Sequence, residues 1–349
     1  MPALVWMRRN LFNGIASSLA TLVALYLLLR GLWAVLRWGV LDAVWSAPDG
    51  RTCRALGGGD GACWAFIGHW YRFIIFGRYP YAEQWRPALV IVLFMALVLA
   101  SCDPRLWRRG ALLGAIWVAG LALCFALMHG GVAGLPVVTT DLWNGLPLTL
   151  MLAVLGLVFA FPLAVLLALG RRSHLPIMRA LSVGYIELVR GVPLITVLFM
   201  ASVMLPLFLP AGVNIDNLAR AQAALAFFYA AYLAEVIRGG LQAIPRGQYE
   251  AADALGLSYW QKTGRVILPQ ALTIAIPPLV NIFIAAFKDT TLVTIVGLLD
   301  LLTTAGNAIT DPQWRGFYVE AYTFVAAIYF VFCFFMSRYS RSLERSLGR

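Results

Sequence analysis

The chain has 349 residues, of which 61% are apolar and only 12% charged, and its mean hydropathy is +0.81. Soluble globular chains are nearer half apolar and a quarter charged, so this composition excludes a soluble protein and requires a bilayer as solvent. The formal charge of +11 does not indicate nucleic acid: all 27 basic residues except Lys262 and Lys288 are Arg, and they gather at the ends of apolar runs rather than on one soluble face.

A helical span needs about 20 apolar residues, and about eight segments qualify. In chain order they are 15–40, 87–102, 110–128, 142–169, 192–209, 221–237, 269–287 and 317–336. Arg8 and Arg9 precede the first, but no small-residue cleavage site follows it, so it is expected to stay as a span. Arg30 and Arg37 lie inside it and must snorkel or face protein. The second segment is short. Cys102, Cys124 and Cys333 lie in apolar runs and read as small packing residues.

Orientation follows from Lys and Arg in the connections. Arg8 and Arg9 come before the first span, and Arg105, Arg108 and Arg109 fall between the second and third. Arg171, Arg172, Arg179 and Arg190 follow the fourth, Arg238, Arg246, Lys262 and Arg265 the sixth, and Arg338, Arg341, Arg345 and Arg349 the last. These are alternate connections, so both termini are expected in the cytoplasm. The 41–86 loop is the exception. It carries Arg51, Arg54, Arg72, Arg78 and Arg86 on the outer side, largely offset by Asp42, Asp49, Asp60 and Glu83. Gly57-Gly58-Gly59 reads as a flexible tip. Trp64, Trp70, Tyr71, Phe73 and Trp85 suit a membrane interface. Cys53 and Cys63 share this loop, either as a disulfide in an oxidising compartment or as two free thiols.

The richest chemistry lies in EVIRGGLQAIPRGQYEAADALGLSYWQKTGRVILPQAL, residues 235–272. Pro245 and Gly247 let a helix start near Gln248. Ala251, Ala252 and Ala254 keep one surface shallow, and Gly256 suits a left-handed cap. The expected product is a short cytoplasmic helix that another backbone can approach closely. Tyr249 and Leu255 would be its anchors, with Glu250 and Asp253 its polar contacts. The sequence Glu250-Ala251-Ala252, then Gly256, then Val266-Ile267-Leu268-Pro269 resembles the EAA loop of ABC importer permeases, with Val266 where that pattern prefers Ile. The resemblance implies a coupling helix that docks into a groove on an ATPase subunit.

Further matches are similar to the polar amino-acid permeases of that family. They are Tyr185-Ile186-Glu187-Leu188-Val189-Arg190-Gly191-Val192-Pro193-Leu194, Glu235 with Arg238-Gly239-Gly240, Leu268-Pro269-Gln270-Ala271-Leu272, and Lys288-Asp289-Thr290-Thr291-Leu292. Thr273 stands where the family usually has Arg, and Thr291 where it has Ser. Gly61-Ala62-Cys63-Trp64-Ala65-Phe66-Ile67 and Gly77-Arg78-Tyr79-Pro80 look like one permease subunit of the general L-amino-acid importers. The resemblance implies an all-α membrane protein. A five-helix type I permease core at 140–349, with the coupling loop at 238–268, would follow an extension of about three spans at 1–139. It also implies a bacterial inner-membrane location and a sister permease subunit in a heterodimer. Two ATPase subunits that bind ATP and Mg, and a periplasmic amino-acid-binding protein, complete the expected assembly.

Candidate path or gate residues are fewer. Glu187 with Arg190, and Glu235 with Arg238, are spaced to share helix faces. They read either as paired structural charges or as a gate that breaks when the ATPase moves. Lys288, Asp289, Thr290 and Thr291 interrupt an apolar region and offer both an acceptor for an amine and donors for a carboxylate. The plainer reading is a self-neutralising pair that stabilises a helix break. Asn281 lies one or two turns deeper. The segment 256–263 lacks the Gly before Lys that a phosphate loop needs, so no ATP site is expected on this chain. No residues fit a metal site or a nucleophile elbow, and no catalytic role is expected. The alternative reading is a stand-alone secondary transporter or channel for small polar solutes. It would often show inverted repeats, and it leaves the EAA spacing unexplained.

Overall fold

The computed structural model describes residues 3–57, 60–101, 103, 106, 109–210 and 212–347, with side chains described from Val5 to Leu343. Gly58, Gly59, Cys102, Arg105, Arg108 and Arg349, and the side chain of Arg345, lie outside the described residues. The fold is helical: among the described residues there is no strand, only isolated bridges at Val44–Cys63 and Gly145–Asp300. We number the helices α1 (Ala3–Asn10), α2 (Ile15–Leu36), α3 (Gly50–Leu56), α4 (Trp64–Phe76), α5 (Trp85–Ser101), α6 (Gly110–His129), α7 (Gly145–Arg171) and α8 (Pro176–Gly191). Then follow α9 (Leu194–Phe199), α10 (Leu205–Phe208), α11 (Asn217–Ala243), α12 (Arg246–Ala254), α13 (Tyr259–Lys262), α14 (Leu268–Asp289), α15 (Leu301–Ala308) and α16 (Tyr318–Leu347).

Among the described residues, 7 helical segments are long and apolar enough to cross a membrane, or 8 if one bent pair counts as a span. The bent pair is α8 with the stretch Leu194–Phe208, which turn by 103°. Pro193 explains the break. It pushes Val192 out of the helical region, to φ −108 and ψ 136, and the chain can continue only in a new direction. The expected span at 192–209 is therefore the second arm of a broken element. A π-helical turn, Met200–Met204, joins α9 to α10 just before Pro206.

Two compact units are present. One is Met1–Tyr71 with Ala308–Phe324. In it α2 has no buried residue. The rest of the unit is tightly tied. Asp49 caps α3 by accepting from the Thr52 amide at 2.7 Å. The Ala62 amide donates to the Trp38 carbonyl, and that of Val44 to the Ala62 carbonyl, both at 2.8 Å. Gly61 is required here, because a Cβ would sit 1.8 Å from the Asp42 carbonyl. Cys53 and Cys63 form a disulfide. The Cys63 amide donates to Glu320 Oε1 at 2.9 Å, Arg54 stacks over Phe317 and bonds the Arg315 carbonyl, and Phe66 packs on Trp314 and Phe317. The segment expected as a loose outer loop is thus largely a pair of helices stapled by one disulfide.

The other unit is Arg72–Asn307 with Val325–Arg349. Its core is the contact of α7 with α11, built on small residues. Ala160, Ala164 and Ala168 form a fully buried i,i+4 stripe on α7, and Ala221, Ala230 and Ala234 are equally buried on α11. Apolar helices in lipid gain no hydrophobic drive to associate, so small residues bring backbones into van der Waals contact instead. Gly240 does the same toward α14: a Cβ there would lie 2.3 Å from the Ala271 carbonyl. Both α7 and α11 have 27 residues, about 40 Å at 1.5 Å rise per residue. That exceeds the ~30 Å hydrocarbon core, so their ends project or tilt.

Arg86, expected to be an ordinary loop cation, is fully buried. Its guanidinium donates to the Leu127 carbonyl at 2.6 Å and to that of Pro136 at 3.0 Å. It thus satisfies the free carbonyl end of α6, where a cation is favoured.

Candidate coupling and translocation sites

The helix expected at Gln248 starts at Arg246, directly after Pro245. Pro245 fits there because the first helical amides need no partner. The helix ends at Ala254. Gly256 takes φ +70, its amide bonds the Asp253 carbonyl at 2.9 Å, and the Leu257 amide reaches back to the Ala252 carbonyl at 3.2 Å. That is a Schellman-type end, with glycine at its left-handed position.

The flanks of α12 are stiff. The helix α11 runs on to Ala243, and helical structure resumes at Tyr259 and is continuous to Val296. Ser258 and Gln261 form a capping box at the start of α13. Between α13 and α14 lies a π-turn, Thr263–Ile267. The expected 238–268 loop therefore reduces to 244–258 between two rigid arms.

Within α12 the side chains divide by face. Ala252 is buried, while Glu250, Ala251, Asp253, Leu255 and Gly256 are exposed. Tyr249 turns inward instead. Its hydroxyl lies 3.2 Å from the Leu241 carbonyl and accepts from Arg172 Nη1 at 3.0 Å. It anchors the helix to its own chain rather than offering an outward contact. Asp253 pairs with Lys262 across the α12–α13 turn. Leu255, Tyr259 and Trp260 are 79%, 54% and 70% exposed and give this surface an apolar patch. Tyr259 and Trp260 were not singled out from the sequence; an aromatic pair flanked by helix-cap residues was the available signal.

The four charges expected as two intrahelical pairs form one network with Arg171, and Glu235 stands at its centre. Arg171 lies 2.9 Å from Glu187 and 3.2 Å from Glu235, Arg190 lies 4.0 Å from Glu235, and Arg238 Nε donates to Glu235 at 3.0 Å. Glu187 thus bonds α7 rather than Arg190. Arg190 stacks over Tyr232. Only Glu235 with Arg238 is the expected i,i+3 pair. Sequence reading placed Arg171 as a topological charge, and its role as the bridge between Glu187 and Glu235 depends on how α7, α8 and α11 converge.

Further along α14 the residues separate. Asp289 accepts from the buried Tyr229 hydroxyl of α11 at 3.0 Å. The Thr290 and Thr291 hydroxyls turn back to the Phe287 and Lys288 carbonyls, at 2.8 and 3.0 Å, and so cap the end of α14. Among the described residues Lys288 makes no ion pair with Asp289, and it is exposed together with Asn281. Ile274, Pro278, Asn281 and Lys288 lie on one helix face, and all four are exposed. Pro277 and Pro278 lack N–H groups, so the carbonyls of Thr273 and Ile274 lose their helical donors beside that face.

A family model for the binding-protein-dependent transport system inner membrane component matches residues 160–349. The inner membrane amino-acid ABC transporter permease protein YhdY of Escherichia coli is 48% identical over 347 residues, covering 98% of this chain and 92% of that protein. The glutamate/glutamine/aspartate/asparagine transport system permease protein BztC of Rhodobacter capsulatus is 42% identical, covering 99% of this chain and 94% of that protein. A crystal structure of an amino acid ABC transporter with histidines superposes with a TM-score of 0.51 at 35% identity, over 58% of this chain and 92% of that one.

Proposed function

Because the chain belongs to the family of binding-protein-dependent transport system inner membrane components, as a multi-pass permease subunit of an amino-acid ABC transporter, we propose that α12 is the element through which its ATPases drive it. The observation that carries this reading is the exposed, glycine-capped helix Arg246–Ala254 held between two rigid arms. A short helix on a stiff frame transmits a push, whereas one on a loose loop would absorb it. ATP is hydrolysed by the separate ATPase subunits and not by this chain. A substrate-binding protein delivers the cargo, which we assign as polar L-amino acids.

One chain carries one coupling helix, so a sister permease in a heterodimer would engage the second ATPase. Residues 140–349 would form the moving core and 1–139 an extension. Both termini and α12 would face the cytoplasm. Alternating Arg in the connections supports this, as does the Cys53–Cys63 disulfide, which suits the oxidising outer side. ATP binding closes the ATPase pair, displaces α12, and tilts α11 and α14 between inward- and outward-facing states. The Arg171–Glu187–Glu235–Arg238 network would exchange partners in that step. The exposed α14 face with Asn281 and Lys288 lines the path, where Lys288 is available to a substrate carboxylate and Asp289 to its amine.

The test places Cys at Ala251 in a permease otherwise cleared of Cys102, Cys124 and Cys333 and crosslinks it in native membranes. A crosslink to a co-purified ATPase, blocked by disordering α12, is expected. Uptake that runs on an ion gradient with no ATPase in the complex would overturn the reading.

A further inference from the structure

The turn from α7 into α8 borders an open cavity of about 890 Å³, lined by Arg171, Arg172, His174, Arg179, Arg238 and Gln242 among others, and by no carboxylate. Two of its cations are engaged behind it with Glu187 and Glu235, and Arg172 serves Leu241 and Tyr249. The guanidinium of Arg179 makes no hydrogen bond or ion pair among the described residues. Positive charge in the cavity therefore exceeds what its neighbouring carboxylates neutralise. At the same place α8, with 16 residues, begins at Pro176 without a side-chain cap, so its first amides also favour an anion.

The surface beside the cavity says what kind of anion. Pro176, Arg179, Ala180 and Val183 line the cavity from one flank of α8. At about 100° per residue, the next face round the helix carries Ile177, Leu181 and Leu188, which are 73%, 67% and 70% exposed. A basic pocket thus adjoins an uncovered apolar stripe on a helix that leads directly into the apolar arm Leu194–Phe208. An amphiphile satisfies both; a free anion leaves the stripe unused.

We propose that this cavity is a phosphate-anion site whose occupant is the headgroup of an anionic phospholipid, its acyl chains lying along Ile177, Leu181 and Leu188. Basic pockets between membrane helices recognise such headgroups through charge-assisted hydrogen bonds. The headgroup would sit beside Arg172, which clamps Tyr249 of α12 to the end of α11. Lipid occupancy and the coupling helix thereby share one residue. The binding site stands without the coupling reading; only its assignment to the cytoplasmic leaflet rests on the proposed orientation.

The experiment uses the permease–ATPase complex in nanodiscs of phosphatidylethanolamine and phosphatidylcholine, with or without phosphatidylglycerol, followed by detergent extraction and native mass spectrometry. The wild-type complex is expected to retain phosphatidylglycerol. Arg179→Gln should retain it roughly fivefold less well, at about 1 kcal/mol per basic residue near the lipid surface. Arg179→Lys should restore most of the retention, and Arg338→Gln, on α16 away from the cavity, should leave it unchanged. Equal retention by Arg179→Gln, or equal loss in Arg338→Gln, overturns the site. A second arm titrates inorganic phosphate into delipidated complex and follows the melting temperature. A shift in the wild type but not in Arg179→Gln, with no phosphatidylglycerol retained, assigns the cavity to free phosphate and overturns the lipid occupant. ATPase co-purification is scored separately, so a failed coupling reading is not mistaken for a failed lipid site.

Discussion

The two ends of α7 handle polarity in opposite ways. At the Arg171 end the contacts are ionic and half-exposed: Arg171 is 23% exposed and its partners Glu187 and Glu235 57% and 21%. At the Gly145 end they are hydrogen bonds without ion pairs among the described residues, and mostly buried. The Gly145 amide bonds the Leu299 carbonyl at 2.8 Å, the Leu301 amide donates to the Thr149 hydroxyl at 3.0 Å, and the Thr304 hydroxyl lies 2.7 Å from the Ile74 carbonyl. Asp300, fully buried, accepts the Leu302 and Thr303 amides and so caps α15. A partly exposed ion pair is worth only about 0.2–1 kcal/mol, so its partners can be exchanged during a cycle. A buried donor left without an acceptor costs about 1–3 kcal/mol, so the Gly145 end holds one arrangement. The physics thus separates an end suited to motion from an end suited to being a fixed point. The helix α12, proposed as the coupling element, is attached to the first through Arg172 and Tyr249.

The largest expected effect is at Gly256. Its φ of +70 lies in the left-handed region, and a Cβ there would meet nothing within 4 Å. Gly256→Val therefore fails through backbone strain and not through a clash. A β-branched residue at positive φ costs about 1–2 kcal/mol, a population factor of roughly 5–30. Amino-acid uptake and substrate-stimulated ATPase activity should fall roughly tenfold or more, while membrane levels by immunoblot stay near wild type. Normal uptake by this variant would detach α12 from the drive.

Asp300→Ala attacks the other end. It strips the cap from α15 and leaves the half-buried amides of Leu302 and Thr303 without their side-chain acceptor. A loss of about 0.5–2 kcal/mol in stability follows, read as a lower melting temperature of the purified complex. Uptake per folded complex should hold. A variant that melts normally yet loses coupling would erase the distinction between the two ends.

That distinction was only half legible in the sequence. Spans, turn glycines and the α12 cap follow local rules, and so the 250–269 segment could be read residue by residue. Gly256 needed only its spacing from Ala252. The ion network was readable in composition but not in pairing: Glu187 finds Arg171 because the turn at 172–175 brings α8 back against α7. Asp300 gave no signal, because an Asp before Leu301-Leu302-Thr303 looks like any helix start until burial is known. The burial of Arg86 was hidden for the same reason, and the Cys53–Cys63 pair was named but left open between a disulfide and two thiols. The carbonyls that hold Arg86 are 41 residues or more away, and for the cysteines the choice between thiols and disulfide depended on a folded neighbourhood.

A smaller effect is expected from Arg171→Gln. It removes the shared partner of Glu187 and Glu235 but leaves Arg190 and Arg238 beside Glu235. Because neither carboxylate is stranded in a dry interior, the stability change should be about 1 kcal/mol. The informative readout is the ATPase rate without substrate. If the network restrains the resting state, that rate should rise; an unchanged basal rate with unchanged uptake assigns these charges to structure alone.

The smallest effect is at Glu187, and it tests whether the network acts as a unit. Glu187 is the most exposed of the five charges, and its recorded ion pair is with Arg171. Glu187→Gln should change the melting temperature by the equivalent of about 0.2–1 kcal/mol, and screening should shrink that difference as salt rises. Combined with Arg171→Gln in a double-mutant cycle, it should show a coupling energy no larger than its own single effect. A coupling well above that would mean Glu187 acts through Glu235 and Arg238 as well. The Arg171 end would then be a locked cluster like its counterpart at Gly145, and motion would have to enter the core somewhere else.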